Sequence, residues 1–200
     1  MWRPPEVTLS GGFFLLVGWF AFSCGWETAL LTLSAAAVHE LGHILALWAC
    51  GARVRRLRLG LLGAVMEVGG AMSYGQELAA VLAGPCANLL AAAVLGRLEQ
   101  PAAAGAHLVL CAFNLLPICP LDGGRALRLL LGWAAGPGAA ERGSRYIGTA
   151  AAVAAACGAV WLMVETGGSL WLLPAAGGSL AAALLPEDRW DRTGKIWPGP

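Results

Sequence analysis

Apolar runs that approach or exceed about 18 residues, the length a bilayer asks of a helix, recur along this chain of 200 residues. Such runs do not suit a water-soluble globule, in which a helix keeps one face polar for solvent. They suit a helix bundle in hydrocarbon, where each helix satisfies its own backbone hydrogen bonds. The chain as a whole agrees, with 58% hydrophobic residues, 12% charged residues and a mean hydropathy of +0.68. The pattern predicts an all-α polytopic membrane protein with about six transmembrane helices. They are expected at about 9–26, 28–50, 76–96, 103–118, 146–165 and 169–186, with an amphipathic helix at about 122–133.

Between the second and third spans, Arg58 to Ser73 is too short and too rich in glycine to cross. Its valines and leucines, broken by Gly60, Gly63, Gly69 and Gly70, suit a short hairpin or re-entrant segment near the interface. An exposed strand edge there could pair with an extended substrate; a plain connecting loop is the alternative. The basic residues set the orientation. With the amino terminus in the cytoplasm, Arg97 alone of the 13 basic residues falls outside, and the reverse threading puts the other twelve there. Both termini are therefore expected in the cytoplasm, with one domain over 1–186, its core at about 28–133, and a short polar tail at 187–200. The first run is read as a retained helix rather than a cleaved signal, since bulky Phe22 stands at the would-be cleavage site.

The six cysteines are scattered singly with no C-x-x-C pair, so they read as small packing residues. Six tryptophans, among them Trp19, Trp48 and Trp171, fall near span ends as interfacial anchors. A net charge of +1 with no basic arm gives no sign of nucleic-acid binding.

Against this background one string stands out: His39-Glu40-Leu41-Gly42-His43, in the middle of the second apolar run. Residues four apart share a helix face, so both imidazoles can reach one metal ion with Glu40 beside them. With only three histidines in the chain, about 0.002 matches to H-E-x-x-H are expected by chance. Ionisable groups are expensive inside a membrane and are usually kept there for function. The plain alternative is a pair of histidines hydrogen-bonded to neighbouring helices.

A catalytic zinc usually takes three protein ligands and leaves a fourth position open. His107, Asp122, Glu67 and a lone cysteine are the candidates for the third. Asp122 is favoured, because the prolines and glycines of Asn114-Leu115-Leu116-Pro117-Ile118-Cys119-Pro120-Leu121-Asp122-Gly123-Gly124-Arg125 break the helix and can turn the carboxylate back into the bundle. An Asp before a helical run is also a good N-cap. His107 is expected nearer the outer half of the fourth span, at a different depth from His43, and reads as structural or pore-lining. Glu67 reads as an interfacial carboxylate.

These strings, with Ala83-Gly84-Pro85-Cys86-Ala87-Asn88 in the third span, resemble the site-2 protease family of intramembrane zinc proteases. The resemblance is strongest to the branch of stage IV sporulation protein FB, and it covers about residues 30 to 130. It implies a three-helix core with one zinc ion on His39, His43 and Asp122, and Glu40 as catalytic base. Gly84, Pro85 and Asn88 look like the family's second signature. Asn114 and Pro117 look like a substrate-holding segment, and Asn114 or Asn88 could support substrate or transition state; an amide satisfied between helices is the alternative for Asn114.

The implied partners are the lipid bilayer, a membrane-associated regulatory substrate such as a pro-sigma factor of a spore-forming bacterium, and membrane inhibitor or regulator proteins. The implied location is a bacterial cell membrane with the site toward the cytoplasm. The CBS domain common in that branch and the PDZ domain of other branches are not expected here. A zinc-binding scaffold or transporter without hydrolysis is the competing class, since midplane ion sites on broken helices also occur in transporters. Glu40 argues against it, being needed for hydrolysis and superfluous for passive binding.

Overall fold

The computed structural model describes residues 6–60, 63–167 and Gly177. The expected sixth span, Gly177 apart, and the tail from Glu187 lie outside the described residues. In chain order the elements are β1 (Glu6–Leu9), α1 (Gly11–Cys24), α2 (Trp26–Ala49), β2 (Arg53–Gly60), β3 (Gly63–Gly69), α3 (Tyr74–Arg97), α4 (Pro101–Asn114), α5 (Asp122–Ala135) and α6 (Pro137–Glu165).

Among the described residues, three helices are long and apolar enough to cross a membrane: α2, α3 and α6. α1, expected as a span over 9–26, and α4, expected as a short one over 103–118, have 14 residues each. At 1.5 Å per residue each is about 21 Å long, short of a hydrocarbon layer of about 30 Å. α4 stops at Asn114 because Pro117 and Pro120 lie just beyond it, and Pro101 fixes its start at the first helical position. α3 opens on a full capping box: Gln76 N donates to Ser73 Oγ at 3.3 Å and Ser73 N to Gln76 Oε1 at 2.9 Å.

The packing is inside-out relative to a soluble protein. α2 buries Ala35, His39, His43 and Leu47 at intervals of four, while Leu41, Leu45 and Trp48 are exposed. α3 buries Ala80, Gly84, Asn88 and Ala92 on one stripe and exposes Leu89, Leu90 and Val94. Small and polar residues fill the interior and bulky apolar ones face out, the arrangement lipid permits and water penalises. α3 is central, packed against α2, α4 and α5, and α5 folds back on α6. The chain is a multi-pass membrane protein.

The segment expected as a hairpin or re-entrant loop is a hairpin, longer at its start than expected, and β1 adds a strand that the apolar pattern concealed. The sheet order is β1-β2-β3, with β1 parallel to β2 and β2 antiparallel to β3. Its register places Arg56 opposite Glu6 on one side and Glu67 on the other. The guanidinium reaches both carboxylates, at 2.9 and 3.4 Å, so the cross-strand charges fix all three strands against one another. These two carboxylates hold the Arg56 guanidinium above its usual range. The sheet is tied to the bundle by a cluster of Leu47, Ala52, Met66, Val68 and Ala80, at the end of α2 and the start of α3.

Candidate metal centre

The stripe on α2 presents His39 and His43 one turn apart toward α3 and α5. Asp122 is the first residue of α5; Leu121 occupies the cap position, and no side chain caps this helix. The N-cap alternative for Asp122 therefore does not hold. Its carboxylate turns inward instead, and Oδ2 lies 2.9 Å from His39 Nε2 and 3.2 Å from His43 Nε2, which are 3.2 Å from each other. All three residues are buried.

The fit to zinc can be tested on these distances. Tetrahedral bonds of about 2.0–2.1 Å put neighbouring ligand atoms about 3.3 Å apart. The three separations are close to that edge, so the atoms surround a single point. His43 Nδ1 donates to the carbonyl of Ala80 at 2.8 Å, which leaves Nε2 with its lone pair, as a metal-ligating imidazole requires. Two imidazoles and one carboxylate form a donor set zinc accepts as three of its four ligands.

Glu40 lies on the next position of α2, half-buried, and makes no hydrogen bond or ion pair among the described residues. It is within electrostatic reach of His39, His43, Asp122 and Arg125. The second oxygen of Asp122, Oδ1, is 3.9 Å from Arg125, which also feels Glu77 and Glu40. Arg125 thus balances the carboxylates around the centre.

The room for the two imidazoles comes from Gly84. A Cβ there would fall on His43 Nε2 and come within 2.7 Å of His43 Cε1 and 2.9 Å of His39 Cε1. The glycine of the second motif is thus required by contact with the first.

Other expected site residues are placed differently. Asn88 is fully buried, with 0% of its surface exposed, behind His39 rather than on a surface a substrate could touch. Its Nδ2 donates to His39 Nδ1 at 3.2 Å, and its Oδ1 accepts from His107 Nδ1 at 3.0 Å. Asn114 donates Nδ2 to Leu110 O of its own helix at 3.1 Å, so its amide is partly satisfied within α4 rather than between helices. Pro117 is half-buried in the break between α4 and α5. Glu67, weighed as a ligand, is engaged by Arg56 in the sheet.

His107 was expected at the wrong depth for the centre. It is 4% exposed and only one residue removed from His39, through Asn88. Bounds of 103–118 misplaced it, because the helix itself runs from Pro101 to Asn114. The signal for it was its residue type, since an ionisable group in an apolar helix asks for a partner.

Three comparisons bear on this arrangement. Over 137 residues the chain is 33% identical to the putative zinc metalloprotease Rip3 of Mycobacterium tuberculosis, covering 60% of this chain and 34% of that protein. Over 143 residues it is 33% identical to the putative zinc metalloprotease sll0528 of Synechocystis, covering 62% and 38%. The chain thus spans little more than a third of the length of these curated relatives. In structure it resembles the site-2 protease from Methanocaldococcus jannaschii with a TM-score of 0.64, covering 93% of this chain and 95% of that one at 20% identity. No protein-family model matches the chain.

Proposed function

We propose that this chain is a member of the site-2 protease family and a zinc-dependent intramembrane endopeptidase, a reading that its fold and its sequence relatives support. One observation carries the reading: His39, His43 and Asp122 converge on one point inside a bundle of apolar helices, with the carboxylate of Glu40 beside them and unengaged by any hydrogen bond among the described residues. A scaffold that merely held an ion would have no use for that carboxylate.

In this reading His39 Nε2, His43 Nε2 and Asp122 Oδ2 hold one zinc ion per chain. When bound, the ion supplies the Lewis acidity that polarises a scissile carbonyl and acidifies water. Glu40 accepts the proton of the attacking water and delivers it to the leaving amine, a general acid–base contribution of about 10²–10⁴-fold. Arg125 holds Asp122 from behind. The substrate is a membrane-associated regulatory protein cut within or near its membrane segment, and a membrane-tethered pro-sigma factor has that chemistry. Its helix must unwind before the cut, because a helical backbone keeps its carbonyls hydrogen-bonded. The hairpin, packed on Leu47 and Ala80, offers a place for the unwound strand to pair. The basic residues support a bacterial cell membrane location with both termini and the site toward the cytoplasm. Membrane inhibitor or regulator proteins would act from the same bilayer.

Co-expression with membrane-tethered candidate substrates tests this. Glu40→Gln is expected to keep its zinc and lose the shorter product. Normal cleavage by the purified variant would remove Glu40 from the chemistry.

A further inference from the structure

We infer that His107 and Asn88 are positioning residues that set which nitrogen of His39 is offered to the metal. The inference rests on the reading of His39 as a zinc ligand. It starts from three buried polar side chains on three helices: His39 on α2, Asn88 on α3 and His107 on α4. Asn88 is 0% and His107 4% exposed, and a polar group so placed is costly unless partnered. They partner one another in a single file that ends on Asp122.

The file has a direction. His107 Nδ1–H donates to Asn88 Oδ1 at 3.0 Å, and Asn88 Nδ2–H donates to His39 Nδ1 at 3.2 Å. With Nδ1 an acceptor, a neutral His39 carries its proton on Nε2 and donates it to Asp122 Oδ2, 2.9 Å away. A metal ion on Nε2 needs the opposite tautomer, because the nitrogen that binds must offer its lone pair. His39 Nδ1 is then the donor, and the end of Asn88 that serves is its oxygen.

The amide supplies this by a half turn, which exchanges oxygen and nitrogen without changing its shape. Its NH₂ then points to His107, which receives it on Nδ1 by carrying its own proton on Nε2. An imidazole can donate or accept at Nδ1, and an amide has one end of each kind. These two residue types allow the file to run in either direction with its buried bonds intact. The net proton count is unchanged when it reverses: His39 gives up its Nε2 proton to water and takes one on Nδ1, and His107 exchanges its Nδ1 proton for one on Nε2. An apolar residue in place of His107 leaves one end of the amide unsatisfied in the bundle, and His39 loses the support that selects its tautomer. Outer partners of metal ligands are typically worth 10–100-fold in metal affinity.

Zinc affinity, read by competition with a chromophoric chelator on the purified full chain, provides the test. His107→Phe keeps the ring volume and removes the hydrogen bond, and is expected to weaken zinc binding by about 10–100-fold. His107→Gln, which can donate or accept, is expected to restore it to within about threefold of wild type. Asn88→Leu is expected to weaken binding at least as much as His107→Phe. The double variant should be no worse than Asn88→Leu alone, since His107 acts only through the amide. The ligand-field bands of the cobalt-substituted protein should shift in His107→Phe and return in His107→Gln. Wild-type affinity and spectrum in a folded His107→Phe would overturn the inference, as would losses that simply add in the double variant. Failure of the metal reading is distinct: wild type would then take up no zinc, or His43→Ala would take up as much as wild type.

Discussion

Gly84→Ala is the most informative single substitution in this protein, because it adds one methyl group to the wall behind both histidines. Carbon atoms pack best at about 3.5 Å or more. The new Cβ would start 2.7 Å from His43 Cε1 and 2.9 Å from His39 Cε1. The rings must therefore retreat by about 0.8 and 0.6 Å, or α3 must move away from α2 by as much. Neither is free: His43 Nδ1 is tied to Ala80 O on the same helix as Gly84, and Asn88 holds His39 one turn further on. Zinc sites tolerate about ±0.2 Å in their ligand distances, so the displacement is several times what the centre can absorb. Zinc affinity is expected to fall by more than the 10–100-fold typical of losing an outer partner. Stability without metal should fall by about 1–3 kcal/mol, the usual cost of overpacking. Gly96→Ala is the control, in the same helix with nothing within 4 Å of its would-be Cβ. It should leave zinc affinity unchanged and stability equal or higher by up to about 1 kcal/mol. Chelator competition and thermal melting of the metal-free proteins measure both quantities. If Gly84→Ala binds zinc within twofold of wild type, the packing argument for the second motif is wrong.

Asp122→Asn removes the charge that faces both imidazoles, and should cost more zinc affinity than any outer-partner variant in the same chelator assay. Zinc held at a hundredfold over its dissociation constant should stabilise the fold by about 2.7 kcal/mol, visible as a melting shift that His43→Ala abolishes. Leu47→Ala cuts into the cluster beneath the hairpin and is expected to cost about 2–5 kcal/mol, with faster limited proteolysis at the hairpin as its sign. Arg56→Ala breaks only exposed ion pairs, so zinc affinity should stay at the wild-type value while β1 becomes easier to cleave.

The paired histidines were legible because a helix converts a spacing of four into a shared face, and this motif depends on nothing distant. Asp122 was legible for a different reason: prolines and glycines announce that the chain turns, and few other groups could serve as a third ligand. Hydropathy failed on length. It counts apolar residues without regard to where a helix ends, so the bounds expected for α1, and those of the fourth span, already short, are longer than the helices themselves. His107 then fell at the wrong depth and was separated from the centre it supports. β1 was missed because pairing in parallel with β2 depends on a strand about fifty residues away, and Val7 and Leu9 look no different from the start of an apolar helix. Asn88 was recognised as part of a motif, but only packing shows that it stands behind a histidine.

Ala80 belongs to two parts of the molecule at once. Its side chain lies in the cluster that seats the hairpin, and its carbonyl holds His43. The small sheet therefore packs on the residue whose carbonyl makes that hydrogen bond. With the hairpin shortened, solvent could compete for the Ala80 carbonyl, and the second histidine would no longer have a single preferred way to face. A small sheet outside the helix bundle thus helps hold a buried bond of the centre in place.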